Sequence, residues 1–412
     1  MSSDILNKHP LVFNKNDFGD SFFWGMSSGE CDLRKKKANI FFSNTKNQNL
    51  SNDHTLDLSN IENYKHSIDS LKRLGLLNFR FSLSWSRILP NGIGPINNEA
   101  ITFYHSILDY CIANGIQPFV SLHDSFLPLE LEKNGGWSNR EILQWFENYV
   151  SICVNAFKGK VNYWIVLNEP SVFTGVGYFL GIYSLGKKGS NNFLSALHHA
   201  LLCQSIGFKV IKTITPEVQV GAFFSGHYVV SNTYNDKDMK AVERIDALLN
   251  RTFIEPHLGL GYPVNELPFL KNIAKFTIPG DNDIIKVDFD FIGLQNCTIK
   301  IISHDACVPY INAKIIQYDN IRVKKDHLSA PIYEELIYII IKKYSKYEGI
   351  KKIVIVENVT FYPEETNQNA TIAVQKTNNM NLFLQHQMLN AKRIGDKVNG
   401  YFVSILEEFK PQ

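Results

Sequence analysis

The sequence has no Cys-x-x-Cys pair, no Gly-rich phosphate loop and no excess of one charge. It also has no apolar run of about 18 residues, so no membrane span is expected. Its start, Met1-Ser-Ser-Asp-Ile-Leu-Asn-Lys-His9, lacks the apolar core of a signal peptide. The six cysteines, Cys31, Cys111, Cys153, Cys203, Cys297 and Cys307, stand singly, which predicts free thiols in a reducing, cytoplasmic compartment, with neither disulfides nor zinc. Forty-two Lys and Arg against forty Asp and Glu leave a net charge of +2, too little field to expect nucleic acid as a partner. His198 and His199 are adjacent on a predicted helix, so their side chains diverge and no metal is expected. No cofactor motif is present.

What remains is an ordinary globular composition, 44% hydrophobic and 20% charged over 412 residues. That length fits two or three average domains, or one α/β barrel. Strand-like and helix-like segments alternate from about residue 20 onward. The predicted strands are Phe22–Gly25, Asn78–Leu83, Gln117–Leu122, Tyr163–Leu167, Val218–Phe224, Asp290–Leu294, Ile353–Val356 and Gly400–Leu406. Most are short apolar runs with little polar alternation, as in parallel strands buried on both faces. Helical spacing marks Ile61–Leu74, Ala100–Asn114, Asn139–Phe157, Phe193–Ile214, Pro331–Ser345 and Ala370–Ile394. Eight strands with helices between them predict a (β/α)8 TIM barrel in one domain over residues 21–412, behind an N-terminal extension, residues 1–20. The polar stretch Phe42–Asp57 reads as a surface loop. The chain stops where an eighth helix is expected, so the last helix is predicted to be missing. That would expose the seam between the last and first strands and permit a homodimer.

Two glutamates stand out by position. Tyr163-Trp-Ile-Val-Leu-Asn168-Glu169-Pro170 is an apolar strand ending in Asn-Glu-Pro, and Ile353-Val-Ile-Val-Glu357-Asn358 is one ending in Glu-Asn. Carboxylates at the C-terminal ends of barrel strands four and seven can face one another across the mouth, where barrel enzymes do their chemistry. Glycoside cleavage needs such a pair. One protonates the leaving oxygen, and the other attacks the anomeric carbon or activates water.

The sequence resembles glycoside hydrolase family 1, the β-glucosidase-like retaining glycosidases. The likeness runs from Phe22-Phe-Trp-Gly25 through Phe79-Arg-Phe-Ser-Leu-Ser-Trp-Ser-Arg87, Asn134-Gly-Gly-Trp137, Leu167-Asn-Glu-Pro170, Gly177-Tyr-Phe-Leu-Gly181, Asp290-Phe-Ile-Gly293 and Gly400-Tyr-Phe-Val403 to Glu408-Phe409. It implies a double-displacement hydrolase of O-glycosyl bonds acting on a small-molecule β-glycoside, with Glu169 as acid/base and Glu357 as nucleophile. It also implies that Asn168 hydrogen-bonds the sugar 2-hydroxyl. Arg80 would stand near the nucleophile and help keep it ionised, because an opposite charge lowers a carboxylate pKa.

Departures from the family pattern cluster in the sugar pocket. Asp32 stands where the first-strand motif carries Gln, and Asp124-Ser-Phe-Leu-Pro128 replaces His-Trp-Asp-Leu-Pro. His123, one residue early, reads as a packed structural residue, since neighbouring strand residues face opposite ways. Gln295-Asn296-Cys297 replaces Asn-Tyr-Tyr, so Cys297 occupies the place of a Tyr that supports the nucleophile. Val359 replaces a Gly. The final strand lacks the family's tryptophans, and Lys410 falls where a sugar-binding Glu is usual. Asp32, Asp124, Asn168 and Arg80 are therefore the expected substrate-binding residues of an altered or weakened pocket. The alternative from another class is a catalytically impaired barrel kept as a binding or interaction module.

Overall fold

The computed structural model describes residues 15–28, 59–182, 187–316, 335–359 and 385–405. Nine strands form one sheet: β1 (Phe23–Ser27), β2 (Asn78–Ser82), β3 (Gln117–His123), β4 (Tyr163–Asn168), β5 (Gln219–Ser231), β6 (Phe291–His304), β7 (Ala313–Ile315), β8 (Ile353–Val359) and β9 (Val398–Ile405). Their order is β5-β4-β3-β2-β1-β9-β8-β6-β7, and β5 also pairs with β6. Those eight parallel strands close a barrel, with β7 added antiparallel to the far end of β6. The expected (β/α)8 barrel is thus the observed fold.

Helices lie outside this sheet. They include α1 (Ser59–Arg73), α2 (Asn98–Ala113), α3 (Ile142–Phe157), α4 (Ser190–Ile214), α5 (Asp236–Asp246), α6 (Leu336–Ser345) and α7 (385–393). Residues 406–412, where the sequence predicts that the last helix is missing, are outside the described residues.

The apolar runs become strands because both faces are buried. On the inner face Phe23, Phe119, Tyr163, Ile165, Phe223, Phe291, Val354, Val356 and Phe402 pack together and plug the barrel. Phe119 and Tyr163 stack with ring centroids 4.3 Å apart. Space here is tight: a Cβ on Gly293 would stand 2.2 Å from the Phe223 ring. The outward residues of the same strands, such as Val166, Val220, Ile353, Ile355 and Tyr401, pack in the layer beneath the helices.

Two features position the mouth. First, β5 and β6 run well past the barrel and stay paired as far as Ser231 and Ile302, with α5 packed on the extension. The predicted ends, Phe224 and Leu294, mark only where the apolar plug stops. Second, the seam between β1 and β9 is overlaid by aromatic side chains. Phe18 and Phe22 lie 4.9 and 4.8 Å from Trp24, whose ring meets Tyr401 at 6.2 Å. Phe18 is fully buried, so the packed body begins ahead of residue 21.

Candidate active site

Glu169 follows β4 directly. It adopts a left-handed backbone conformation, φ 47° and ψ 62°, immediately before Pro170 opens a short helix. A non-glycine residue in that region stores strain and is held only by surrounding structure. Here the hold is visible: the Glu169 amide donates to Phe223 O at 2.9 Å, tying the turn to β5.

The Glu169 carboxylate is buried and densely ligated. Ser225 Oγ donates to Oε1 at 2.6 Å, and Asn296 Nδ2 reaches Oε1 and Oε2 at 2.6 and 2.8 Å. Gln295 Nε2 donates to Oε2. Ser171 and Ser225 hydroxyls lie 3.1 Å apart, which extends the chain. Asn296 reaches inward because a positive φ of 52° kinks β6 there, a conformation Asn tolerates better than most residues. Burial pushes the Glu169 pKa up and outweighs these donors, and the neighbouring Asp124 pushes it further in the same direction. The group is therefore biased toward its protonated form, as an acid requires.

Asn168 and Asp124 complete this side. Asn168 ends β4, Asp124 follows β3, both are buried, and Asn168 Nδ2 donates to Asp124 Oδ1 at 2.9 Å. Asn168 Oδ1 and Gln295 Oε1 are buried and without a hydrogen-bond partner among the described residues. Arg80, on β2, donates to Ser27 Oγ at 2.9 Å and Ser121 Oγ at 3.2 Å and lies over the Phe223 ring at 4.9 Å. That puts it one layer below Ser225. Asp32 is outside the described residues, as is Lys410.

Glu357 lies on β8, the seventh barrel strand. It shares strand parity with Ile353 and Ile355 of the outer layer, whereas Val354 and Val356 face the plug. Its carboxyl is half-buried, with Oε1 enclosed and unbonded among the described residues. The Cys297 thiol of β6 lies beside it, and the Glu357 charge reaches the Tyr401 phenol on β9. Burial pushes Glu357 up to about 8, and the Cys297 contact only partly opposes this. Among the described residues no cation lowers either glutamate. Arg80 and Glu357 form no ion pair there. Burial likewise holds Cys297 well above the usual thiol range, so it is an inert thiol.

Other sequence readings find their places. His123 is buried with its ring centroid 5.3 Å from Trp137 and 5.4 Å from Phe173, a packed residue. His198 faces Asp281 and Tyr262, while His199 faces Trp137 O, so the pair diverges. No metal-ligating cluster occurs among the described residues. No described helix is long and apolar enough to cross a membrane. Ser225 is the site residue that sequence reasoning missed. Its signal was a hydroxyl at the C-terminal end of the apolar run Val220–Phe224.

Comparison with known proteins adds the lineage. Residues 15–410 match the sequence profile of Glycosyl hydrolase family 1. The chain is 28% identical over 411 residues to beta-glucosidase A of Thermotoga maritima, covering 96% of this chain and 91% of that one. It is 32% identical over 265 residues to the 6-phospho-beta-glucosidase GmuD of Bacillus subtilis, covering 62% and 57%. The solved family 1 β-glucosidase of Thermotoga maritima superposes with a TM-score of 0.81 at 25% identity, covering 95% and 89%. A closed parallel barrel, a buried glutamate strained into its mouth and a profile match along nearly the whole chain agree: the chain belongs to glycosyl hydrolase family 1, the hydrolases of O-glycosyl bonds.

Proposed function

We propose that the chain is a retaining β-glycosidase in which Glu169 is the acid/base and Glu357 the nucleophile. The observation that carries the reading is the environment of Glu169. It is a carboxyl at the end of a barrel strand, buried and biased toward protonation, with hydroxyl and amide donors ready to stabilise the carboxylate left when the proton goes to the leaving oxygen. In the first half-reaction Glu357 attacks the anomeric carbon as Glu169 delivers its proton. In the second, Glu169 takes a proton from water, which attacks the same carbon and releases Glu357.

The substrate class is a small β-glycoside, β-glucoside-like by kinship with the relatives named above. Asn168, Arg80, Asp124 and Asp32 are assigned to the sugar pocket, and Arg80 supports it from the layer below. A reducing cytoplasm suits the five free cysteines among the described residues, four of them buried. A homodimer would use the seam between β9 and β1. A non-catalytic binding module draws no support from any observation above.

The test is a 2-deoxy-2-fluoro glycoside with a good leaving group, in gluco, galacto, manno and fuco forms. It slows breakdown of the glycosyl-enzyme more than its formation and needs little acid assistance. The expected result is stoichiometric mass on the peptide containing Glu357, absent in Glu357→Gln. No labelling of a folded protein by any reagent would overturn the reading.

A further inference from the structure

Two sequence motifs lie outside the proposed chemistry, Asn134-Gly-Gly-Trp137 and Gly177-Tyr-Phe-Leu-Gly181. The fold locks them together. Tyr178 is buried, and its hydroxyl has one proton to give. It donates that proton to the Glu132 carboxylate, 3.0 Å from each oxygen, and accepts from the Trp137 amide at 2.9 Å. Gly136 makes room for this contact. It sits at φ 54°, and a Cβ there would stand 2.2 Å from the Tyr178 hydroxyl. Trp137 is also held from α4, where His199 Nδ1 lies 2.8 Å from its carbonyl oxygen.

These contacts join the segments that leave β3 and β4, and those segments carry the site. After β4 come Glu169, the short helix Pro170–Val172 and a π-helical turn, Phe173–Phe179. Such turns are rare and frequently lie at functional sites. At one end of the turn, the Phe173 ring stacks on the Trp137 ring at 4.8 Å. At the other, the Tyr178 hydroxyl meets the Trp137 amide. One residue thus grips both ends. Glu169 needs such a grip, because its left-handed backbone persists only where its surroundings enforce it. The Val172 amide donates to Glu169 O at 2.9 Å, so a shift of the turn is passed back to the acid. On the β3 side, His123 packs on both Trp137 and Phe173, just ahead of Asp124, whose carboxylate accepts from Asn168.

We infer that the Tyr178 hydroxyl, set between Trp137 and Glu132, is a latch that positions Glu169 for proton transfer. The inference rests on Glu169 being the acid/base, as proposed above. Tyr178 is a positioning residue that acts through Glu169, so its loss weakens proton delivery more than nucleophilic attack.

The experiment compares kcat/KM for the wild type, Tyr178→Phe, Glu132→Ala and Glu132→Gln on methyl and 2,4-dinitrophenyl β-glycosides of the sugar that labels Glu357 fastest. Glu169→Gln serves as the reference for loss of the acid. Tyr178→Phe keeps the ring and removes the hydroxyl. It should lower the methyl glycoside value about 10- to 100-fold and the dinitrophenyl value less than about threefold, since small misplacements of a catalytic group have costs of that order. Glu132→Ala should act in the same direction. Glu132→Gln keeps an oxygen to accept from Tyr178, so it should restore the wild-type ratio of the two substrates. Because Tyr178→Phe can fail to fold, the Glu132 pair carries the test by itself, and equal ratios in the Ala and Gln variants overturn the latch. Equal losses on both substrates in the folded variants also overturn it, and leave the acid/base assignment standing if Glu169→Gln still discriminates between them. A Glu169→Gln variant that does not discriminate, or a folded wild type that neither labels at Glu357 nor turns over any glycoside, overturns both.

Discussion

The Cys297 thiol on β6 lies beside the Glu357 carboxyl on the adjacent strand β8 and favours its ionised form. A thiol is a weak donor. No other group among the described residues favours the ionised form of Glu357, and burial overrides the thiol.

Attack on an anomeric carbon requires ionised Glu357, and a pKa near 8 leaves about a tenth of it charged at pH 7. The rate of labelling by a fluoroglycoside should therefore climb with pH through about 8, then level off. In Cys297→Ala the midpoint should move further alkaline. A labelling rate already flat between pH 5 and 8 would show that something else ionises the group.

The same shift makes Glu357 a burden on folding. Its folded pKa lies above the ordinary carboxylate value, so no penalty exists below about pH 4.5. The penalty grows as pH rises and is complete once pH passes about 8. Allowing for its partial exposure, Glu357→Gln should stabilise the protein by about 2–4 kcal/mol at pH 8.5 and by almost nothing at pH 4. Urea titrations at the two pH values measure the difference, and an equal effect at both would contradict it.

Removing the proton donor should matter most for poor leaving groups. Glu169→Gln should slow hydrolysis of alkyl glycosides by about 10²–10⁴-fold and affect dinitrophenyl glycosides much less. Ser225→Ala removes one of the donors to the Glu169 carboxylate. Its acidic group should then titrate higher, seen as an alkaline shift in the descending limb of the pH–rate profile. A Ser225→Ala profile that overlays the wild type would remove Ser225 from the mechanism.

Far from the mouth, Asp281 is held by Arg140 at 2.5 and 3.0 Å, His198 at 2.8 Å and the Ile278 amide at 2.9 Å. Burial pushes Asp281 up, but Arg140 and the other donors outweigh it and hold the group at about 2. Because this pKa is depressed, its stabilisation is present above about pH 4 and is lost as pH falls toward 2. Arg140→Ala should cost about 3 kcal/mol at pH 7 and flatten the acid limb of the stability curve. A variant as stable as wild type at pH 7 would rule the network out as a stabiliser.

The barrel was readable in the sequence because its strands are apolar on both faces, a pattern few other folds require. The extension of β5 and β6 was not, because beyond Phe224 and Leu294 the chain turns polar while still pairing strand to strand. The two glutamates were legible as strand-end residues. Their environments were not, because those come from residues far apart in sequence, brought together by closure. Gln295 and Asn296 could be seen as departures from a pattern, but only the kink at Asn296 reveals both amides turned onto Glu169. Nor could spacing show that Arg80 is engaged by Ser27 and Ser121, a layer below the mouth.

The seam also has a temporal meaning. Phe23 on β1 is paired with Gly400 on β9, so the first strand of the barrel waits until residue 400 has been made. At roughly 5–20 residues per second on the ribosome, β1 spends about 20–80 s with that edge unpaired. An open strand edge is a template for pairing with another chain. Phe18, Phe22 and Trp24 are neighbours in sequence and can gather before β9 exists. The aromatic cluster at the seam is thus a local structure that the nascent chain can form early, beside the edge most in need of shelter during synthesis.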